Sequence, residues 1–129
     1  MWNLDSDRPI YLQIIEEIQK RIITGKYSPG ERLPSVRELA DEASVNPNTM
    51  QRAMAELERV GLVYTQRTNG RFITEDHDMI QTLKSTLASE QIGAFLETMK
   101  HYGYEPEEVA SLILSSSNSS KQSRLEETK

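Results

Sequence analysis

SVRELADEASVNPNTMQRAMAELERVG, Ser35–Gly61, decides how this chain folds, because it holds two helix starts in close succession. Ser35 followed by Glu38 is a capping box, in which the hydroxyl accepts from the backbone of residue 38 and the carboxylate reaches back to the cap. Val36, Leu39, Ala40 and Ala43 give the short helix that follows its buried side. Asn46 and Pro47 form the second start, a capping amide and then a residue whose missing N–H costs nothing in the first turn. Met50, Ala53, Met54, Leu57 and Val60 line one face of this second helix, and Gly61 ends it. Two helices joined only by Ala43-Ser44-Val45 cannot lie antiparallel along their lengths. They must cross steeply, which is helix-turn-helix geometry.

Outward from this pair, the period changes after Gly61. Leu62–Gln66 and Arg71–Thr74 favour β structure, and Arg67-Thr68-Asn69-Gly70 between them is a hairpin signal, since Asn and Gly both tolerate positive φ. A hairpin in that place is a wing. Upstream, a helix is expected from about Arg8 to Thr24, with Pro9 in its first turn. Tyr11, Ile14, Ile15, Ile18 and Ile22 form its apolar stripe, Glu16, Glu17, Lys20 and Arg21 its opposite face, and Gly25 its C-terminal stop. Ser28-Pro29-Gly30 breaks the chain, and Glu31-Arg32-Leu33 reads as a short extended piece before Pro34.

Downstream of Asp76 the pattern is helical again. Ile80, Leu83 and Leu87, then Ile92, Phe95, Leu96 and Met99, fall at helical spacing with a phase shift near Ala88–Gln91. Gly103 and Pro106 punctuate, and a short last helix over Glu107–Leu114 carries Val109, Leu112 and Ile113. From Ser115 the chain is serine-rich and polar, and a disordered tail is expected. The fold class is therefore mainly α with a small β-wing. A winged helix-turn-helix domain spans 1–75, a two-helix dimerisation region 76–114 and a polar tail 115–129.

Composition narrows the function. At 129 residues, with 36% hydrophobic and 27% charged, the chain suits one compact domain plus an appendage. The absence of cysteine excludes a disulfide framework and a thiolate metal site, and fits the cytoplasm, at the nucleoid. His77 and His101 are too few for a multi-histidine centre, so no metal or cofactor is expected. No apolar run approaches the ~20 residues of a membrane span, and the first residues lack a secretory pattern. No carboxylates or histidines form a catalytic constellation, and His77-Asp78 reads as a helix start, so an enzyme is not expected. Net charge is −5, which taken alone argues against nucleic acid. Residues 1–76 hold 10 Lys+Arg against 12 Asp+Glu, and residues 77–129 hold 5 against 8. Any case for DNA must rest on where the charges sit.

They sit favourably. The polar face of the second helix opens with Asn48, Thr49, Gln51 and Arg52, the side-chain types that read base edges from the start of a recognition helix. Ser35 and Asn46 mark helix N-termini whose backbone N–H groups can meet phosphate, and Arg37 stands beside the first. The hairpin carries Arg67, Thr68, Asn69, Gly70 and Arg71, with no acid between Glu58 and Glu75, and Arg32 is a weaker candidate for backbone contact. The plainer alternatives are a solvated helix face, an Arg37 ion pair with Glu38 or Asp41, and an ordinary charged turn. The capped helix before and the wing after favour double-stranded DNA. A winged helix that binds only protein would carry an apolar or acidic outer face there.

In the C-terminal part, Leu83, Leu87, Ile92, Phe95, Leu96, Met99, Tyr102, Val109, Leu112 and Ile113 are candidates for a homodimer interface, and Phe95, Leu96, Met99 and Tyr102 among them can instead line a small-molecule pocket. Exposed in a monomer, such a stripe is a large apolar patch; two-fold pairing buries it and sets two recognition helices for half-sites of a palindrome. The dimer is the expectation.

Pro9-Ile10-Tyr11-Leu12-Gln13-Ile14 and the run from Ile23 through Gly30-Glu31-Arg32-Leu33-Pro34-Ser35-Val36-Arg37 to Ala40 resemble the N-terminal domain of the GntR family. The likeness continues through Val45–Thr49, Leu57–Val63 and Gly70, covering roughly residues 8–75. It implies a bacterial winged-helix regulator, by default a repressor, binding an operator as a homodimer. It implies further that Arg37 contacts phosphate or base, Thr49 the backbone, and Gly70 the minor groove at the wing tip. Pro47 and Gln51 stand where better-known members often carry arginine, and Asn-Pro-Asn-Thr with Gln51-Arg52 resembles the YtrA-like subfamily. Members of that subfamily use two short helices mainly to dimerise and often control ABC transporter operons, and the region after residue 76 is too short to enclose a ligand cavity of the larger effector domains.

Overall fold

The computed structural model describes residues 2–127, and their side chains through residue 117. In chain order the elements are α1 (Ile10–Ile23), α2 (Val36–Ala43), α3 (Pro47–Arg59), β1 (Val63–Gln66), β2 (Gly70–Ile73), α4 (His77–His101) and α5 (Pro106–Glu127). They form two units, Met1–Ser85 and Thr86–Lys129. The first is a winged helix-turn-helix.

Its core is the meeting of the stripes read from the sequence. Ile14, Ile18 and Ile22 from α1, Leu39 and Ala40 from α2, and Met50, Ala53, Met54 and Leu57 from α3 are buried together. Leu33, Leu62, Val63 and Ile73 close the group from the wing side. Each large side chain so buried stabilises the fold by about 1.5–3 kcal/mol over its exposed state. Between α2 and α3 the backbone reverses at Ser44, whose φ of 57° is left-handed, and Val45 N–H returns to Ala40 O at 3.0 Å. That residue ends α2 and turns the chain toward α3.

The wing pairs Val63 with Ile73 and Gln66 with Gly70 in antiparallel register. Asn69 N–H donates to Gln66 O at 3.0 Å and Gly70 takes φ 99°, so that a three-residue connection closes on a glycine of positive φ at the start of β2. Asn69 itself keeps negative φ, so of the Asn-Gly pair only the glycine uses its freedom. The extended piece expected before Pro34 joins this hairpin. Leu33 N–H donates to Arg71 O at 2.8 Å, Ile73 N–H donates to Glu31 O at 2.9 Å, and Arg32 bridges Phe72.

Three readings are corrected. Pro9 sits one place before the first helical residue of α1, at the N-cap. Arg21, expected on the solvent face, is buried under Trp2, with its guanidinium 4.5 Å from that ring, and donates to the Tyr27 hydroxyl at 3.0 Å and to Glu42 at 3.2 Å. The cause is the N-terminal arm, which folds back over α1. The buried Gln13 amide ties it down, accepting from Asp5 N–H at 2.7 Å and donating to Asp5 O at 2.8 Å. Lastly, α5 runs past Leu114 to Glu127 where a disordered tail was expected, and the tail's residues 128–129 lie outside the described residues. Serine is only a mild helix opponent, no Gly or Pro follows Pro106, and each added helical residue gains a backbone bond.

Helix α4 passes through Ala88–Gln91 unbroken despite the shift in apolar phase. The two stripes have different surroundings: Met79, Ile80 and Leu83 pack against the winged-helix core, whereas Ile92 and Phe95 are 58% and 46% exposed. In the second unit Tyr102, Leu112 and Ile113 are also exposed, and Val109 is buried. Among the described residues no helix is long and apolar enough to cross a membrane.

Candidate nucleic-acid interface

Local capping fixes where the two helix starts lie. At α2 the Ser35 hydroxyl accepts from Glu38 N–H at 3.1 Å while Ser35 N–H donates to Glu38 Oε1 at 3.4 Å. At α3 the Asn46 side-chain oxygen accepts from Asn48 N–H at 2.8 Å. Ser35 and Asn46 are thus engaged as caps, and what each helix start offers a ligand is its remaining backbone N–H groups. Asn48, Gln51 and Arg52 are exposed on the first turns of α3, with Thr49 half-buried among them.

An open groove of about 860 Å³ joins these elements, running from Arg32, Ser35 and Arg37 past Gln51 to Thr65, Gly70 and Arg71. Arg32 lies against the wing tip: a β-carbon on Gly70 would sit 3.2 Å from Arg32 Nε. That approach, with φ 99°, is why the position carries glycine. Arg67, Thr68 and Asn69 are exposed at the tip itself.

The arginines of this face divide by their partners. Arg32, Arg37, Arg52 and Arg67 have no carboxylate within ion-pair distance among the described residues, so the pairing of Arg37 with Glu38 or Asp41 does not occur. Arg71 is different. Its Nε donates to Glu58 at 2.9 Å, another of its nitrogens donates to the Gln51 carbonyl at 3.4 Å, and the Thr65 hydroxyl donates to the same Glu58 oxygen. Burial pushes the Glu58 carboxyl up, but the bonds from Thr65 and Arg71 outweigh it and hold the group below the usual carboxylate range. Arg71 therefore fastens the wing to α3.

One residue of the site was missed by reading the sequence. The Arg52 guanidinium stacks 3.7 Å from the centroid of the Tyr11 ring, which was assigned only to the apolar stripe of α1. No local spacing signals the contact, because it forms where α1 packs across α3. The residues expected to line a dimer interface differ in their surroundings: Leu83 packs on the winged-helix core, Val109 is already buried in the single chain, Leu87, Leu96 and Met99 are half-buried, and Ile92, Phe95, Tyr102, Leu112 and Ile113 are exposed. Among the described residues no three His, Asp or Glu side chains are grouped to hold a metal.

With this geometry in place, comparison with known proteins gives a consistent result. The family model for bacterial regulatory proteins of the gntR family matches residues 10–73. An HTH-type transcriptional regulator of Bacillus subtilis, YhcF, is 44% identical over 81% of this chain and 86% of its own length. The HTH-type transcriptional repressor YtrA of the same organism is 38% identical over 81% of each chain. Among solved structures, a GntR family regulator from Listeria monocytogenes superposes with TM-score 0.82 at 39% identity, covering 87% of this chain and 98% of that one. The DNA-binding domain of AraR in complex with operator ORE1 matches 57% of this chain and 93% of its own at TM-score 0.50 and 32% identity.

Proposed function

The chain belongs to the gntR family of bacterial regulatory proteins, alongside YtrA-type members, and from that premise we propose that it is a repressor that binds a palindromic operator as a homodimer. The observation that carries the reading is the set of guanidinium groups with no carboxylate partner among the described residues, Arg32, Arg37, Arg52 and Arg67, gathered from the start of α2 to the wing tip in a chain of net charge −5. Elsewhere Arg8, Arg21 and Arg59 are neutralised by Glu16, Glu42 and Glu56. Screening confines charge effects to about 10 Å, so a locally positive face suffices in an acidic protein.

In this reading α3 enters the major groove, where Asn48, Gln51 and Arg52 meet base edges and Thr49 the backbone. Arg37 and the N–H groups at the Ser35 and Asn46 caps hold phosphates. The wing lays Arg67, Thr68, Asn69 and Gly70 along the neighbouring groove with Arg32 beside them, and Arg71 serves chiefly to hold the wing in place. The second copy docks through the exposed apolar residues of α4, α5 and the turn between them, Ile92, Phe95, Tyr102, Leu112 and Ile113, with Leu87, Leu96 and Met99 at the margin. The protein acts in the cytoplasm at the nucleoid, and a transporter operon of the ABC type, including its own gene, is the target the YtrA likeness suggests.

A gel shift with DNA from upstream of the chain's own gene tests this. Binding is expected to be competed by the unlabelled fragment and not by random duplex, and to weaken linearly in the logarithm of salt concentration. Equal competition by random DNA would sink the operator reading.

A further inference from the structure

Arg52 is exposed, yet unlike Arg37 and Arg67 it rests on an aromatic ring among the described residues. Its guanidinium rests 3.7 Å from the centre of the Tyr11 ring. That ring stands in the first turn of α1, half-buried and packed against the hydrophobic core, beside Pro9 and Ile10 in a shallow cleft completed by Asn48, Thr49 and Arg52. The platform is therefore fixed by the core. A cation held over an aromatic face leaves its in-plane N–H fork uncommitted. The Arg52 fork indeed has neither a carboxylate nor another side chain bonded to it among the described residues.

The contrast with the rest of the face gives the contact its meaning. Arg32, Arg37 and Arg67 lie over no ring among the described residues. A phosphate is a broad anionic target that a swinging cation can find, whereas bidentate reading of a base requires the fork at one place and one angle. We propose that Tyr11 is a positioning residue for base recognition: by cation–π stacking it preorganises Arg52 to meet a guanine edge. This rests on the reading of α3 as the recognition helix and adds to it a residue from α1.

The test compares Tyr11→Leu, which keeps apolar bulk and removes the ring face, with Tyr11→Phe, which keeps the face and removes the hydroxyl. The probe is the duplex that the wild-type chain enriches from a randomised pool, together with its single-base-pair variants. Arg52→Ala identifies the base pair that Arg52 reads. At that pair, Tyr11→Leu is expected to lose about tenfold in discrimination and Tyr11→Phe to restore it. Adding Tyr11→Leu to Arg52→Ala should change nothing further there, and thermal melting reports whether each variant is folded. Full discrimination in a folded Tyr11→Leu chain overturns the proposal, as does a loss spread evenly over all base pairs, which is what a purely structural role would produce. If the wild type enriches no sequence, the recognition-helix reading fails and this inference falls with it.

Discussion

For single side chains, the presence or absence of a partner separates holding from reading. Arg37 at the start of α2 has no carboxylate partner among the described residues, and Arg37→Ala is expected to weaken binding to all duplexes about equally and to reduce the salt slope by about one. Arg52→Ala should instead relax preference at one base pair of each half-site, by roughly 1–3 kcal/mol. Fluorescence anisotropy on matched and mismatched duplexes separates the two, and equal loss of preference in both variants would contradict the division. Most of these residues were legible from type and position alone: a capping box, a capping Asn-Pro and the polar first turns after it can be found by spacing. Tyr11 under Arg52, Gln13 clasping the N-terminal arm and Arg21 buried beneath Trp2 were not. Each depends on a contact between segments distant in sequence, for which helical periodicity holds no signal.

Among the elements, the wing shows how one ion pair can fix the frame of a site that it borders. Glu58 joins Arg71 and Thr65 and so fixes the hairpin to α3. Glu58→Gln is expected to destabilise the first unit by about 1 kcal/mol, seen as a lower melting temperature. Because the folded carboxyl lies below its ordinary value, its contribution is complete above the ordinary carboxylate range and is lost as pH falls through the depressed value. Part of the acid-side loss of stability should therefore vanish in Glu58→Gln, and an unchanged acid limb would refute this role. Gly70→Ala should cost more than a surface change, since φ 99° and the adjacent Arg32 both oppose a β-carbon. The elements themselves were readable in order and kind, while their ends moved: Asn69 stayed at negative φ because the connection is three residues long, and α5 continued because serine does not stop a helix that has already formed.

For the whole molecule, the winged helix buries its own core, whereas Ile92, Phe95, Leu112 and Ile113 of the second unit remain exposed in a single chain. Phe95→Lys is expected to yield a monomer by sedimentation, with the first unit still folded and affinity for a two-half-site duplex reduced to that of one half-site. An unchanged dimer would remove this face from the interface. The second unit was legible only as an apolar stripe left over once the winged-helix core was assigned, since periodicity shows that a face is apolar and not what covers it. The most direct trial of the central claim, that the face from α2 through α3 to the wing reads DNA sequence, is selection from a randomised duplex pool with the wild type and Arg52→Ala side by side. The account predicts a two-fold-symmetric sequence enriched by the wild type, with preference flattened at one symmetric pair of positions in the variant. No enrichment, or an identical enriched sequence from both chains, would contradict it.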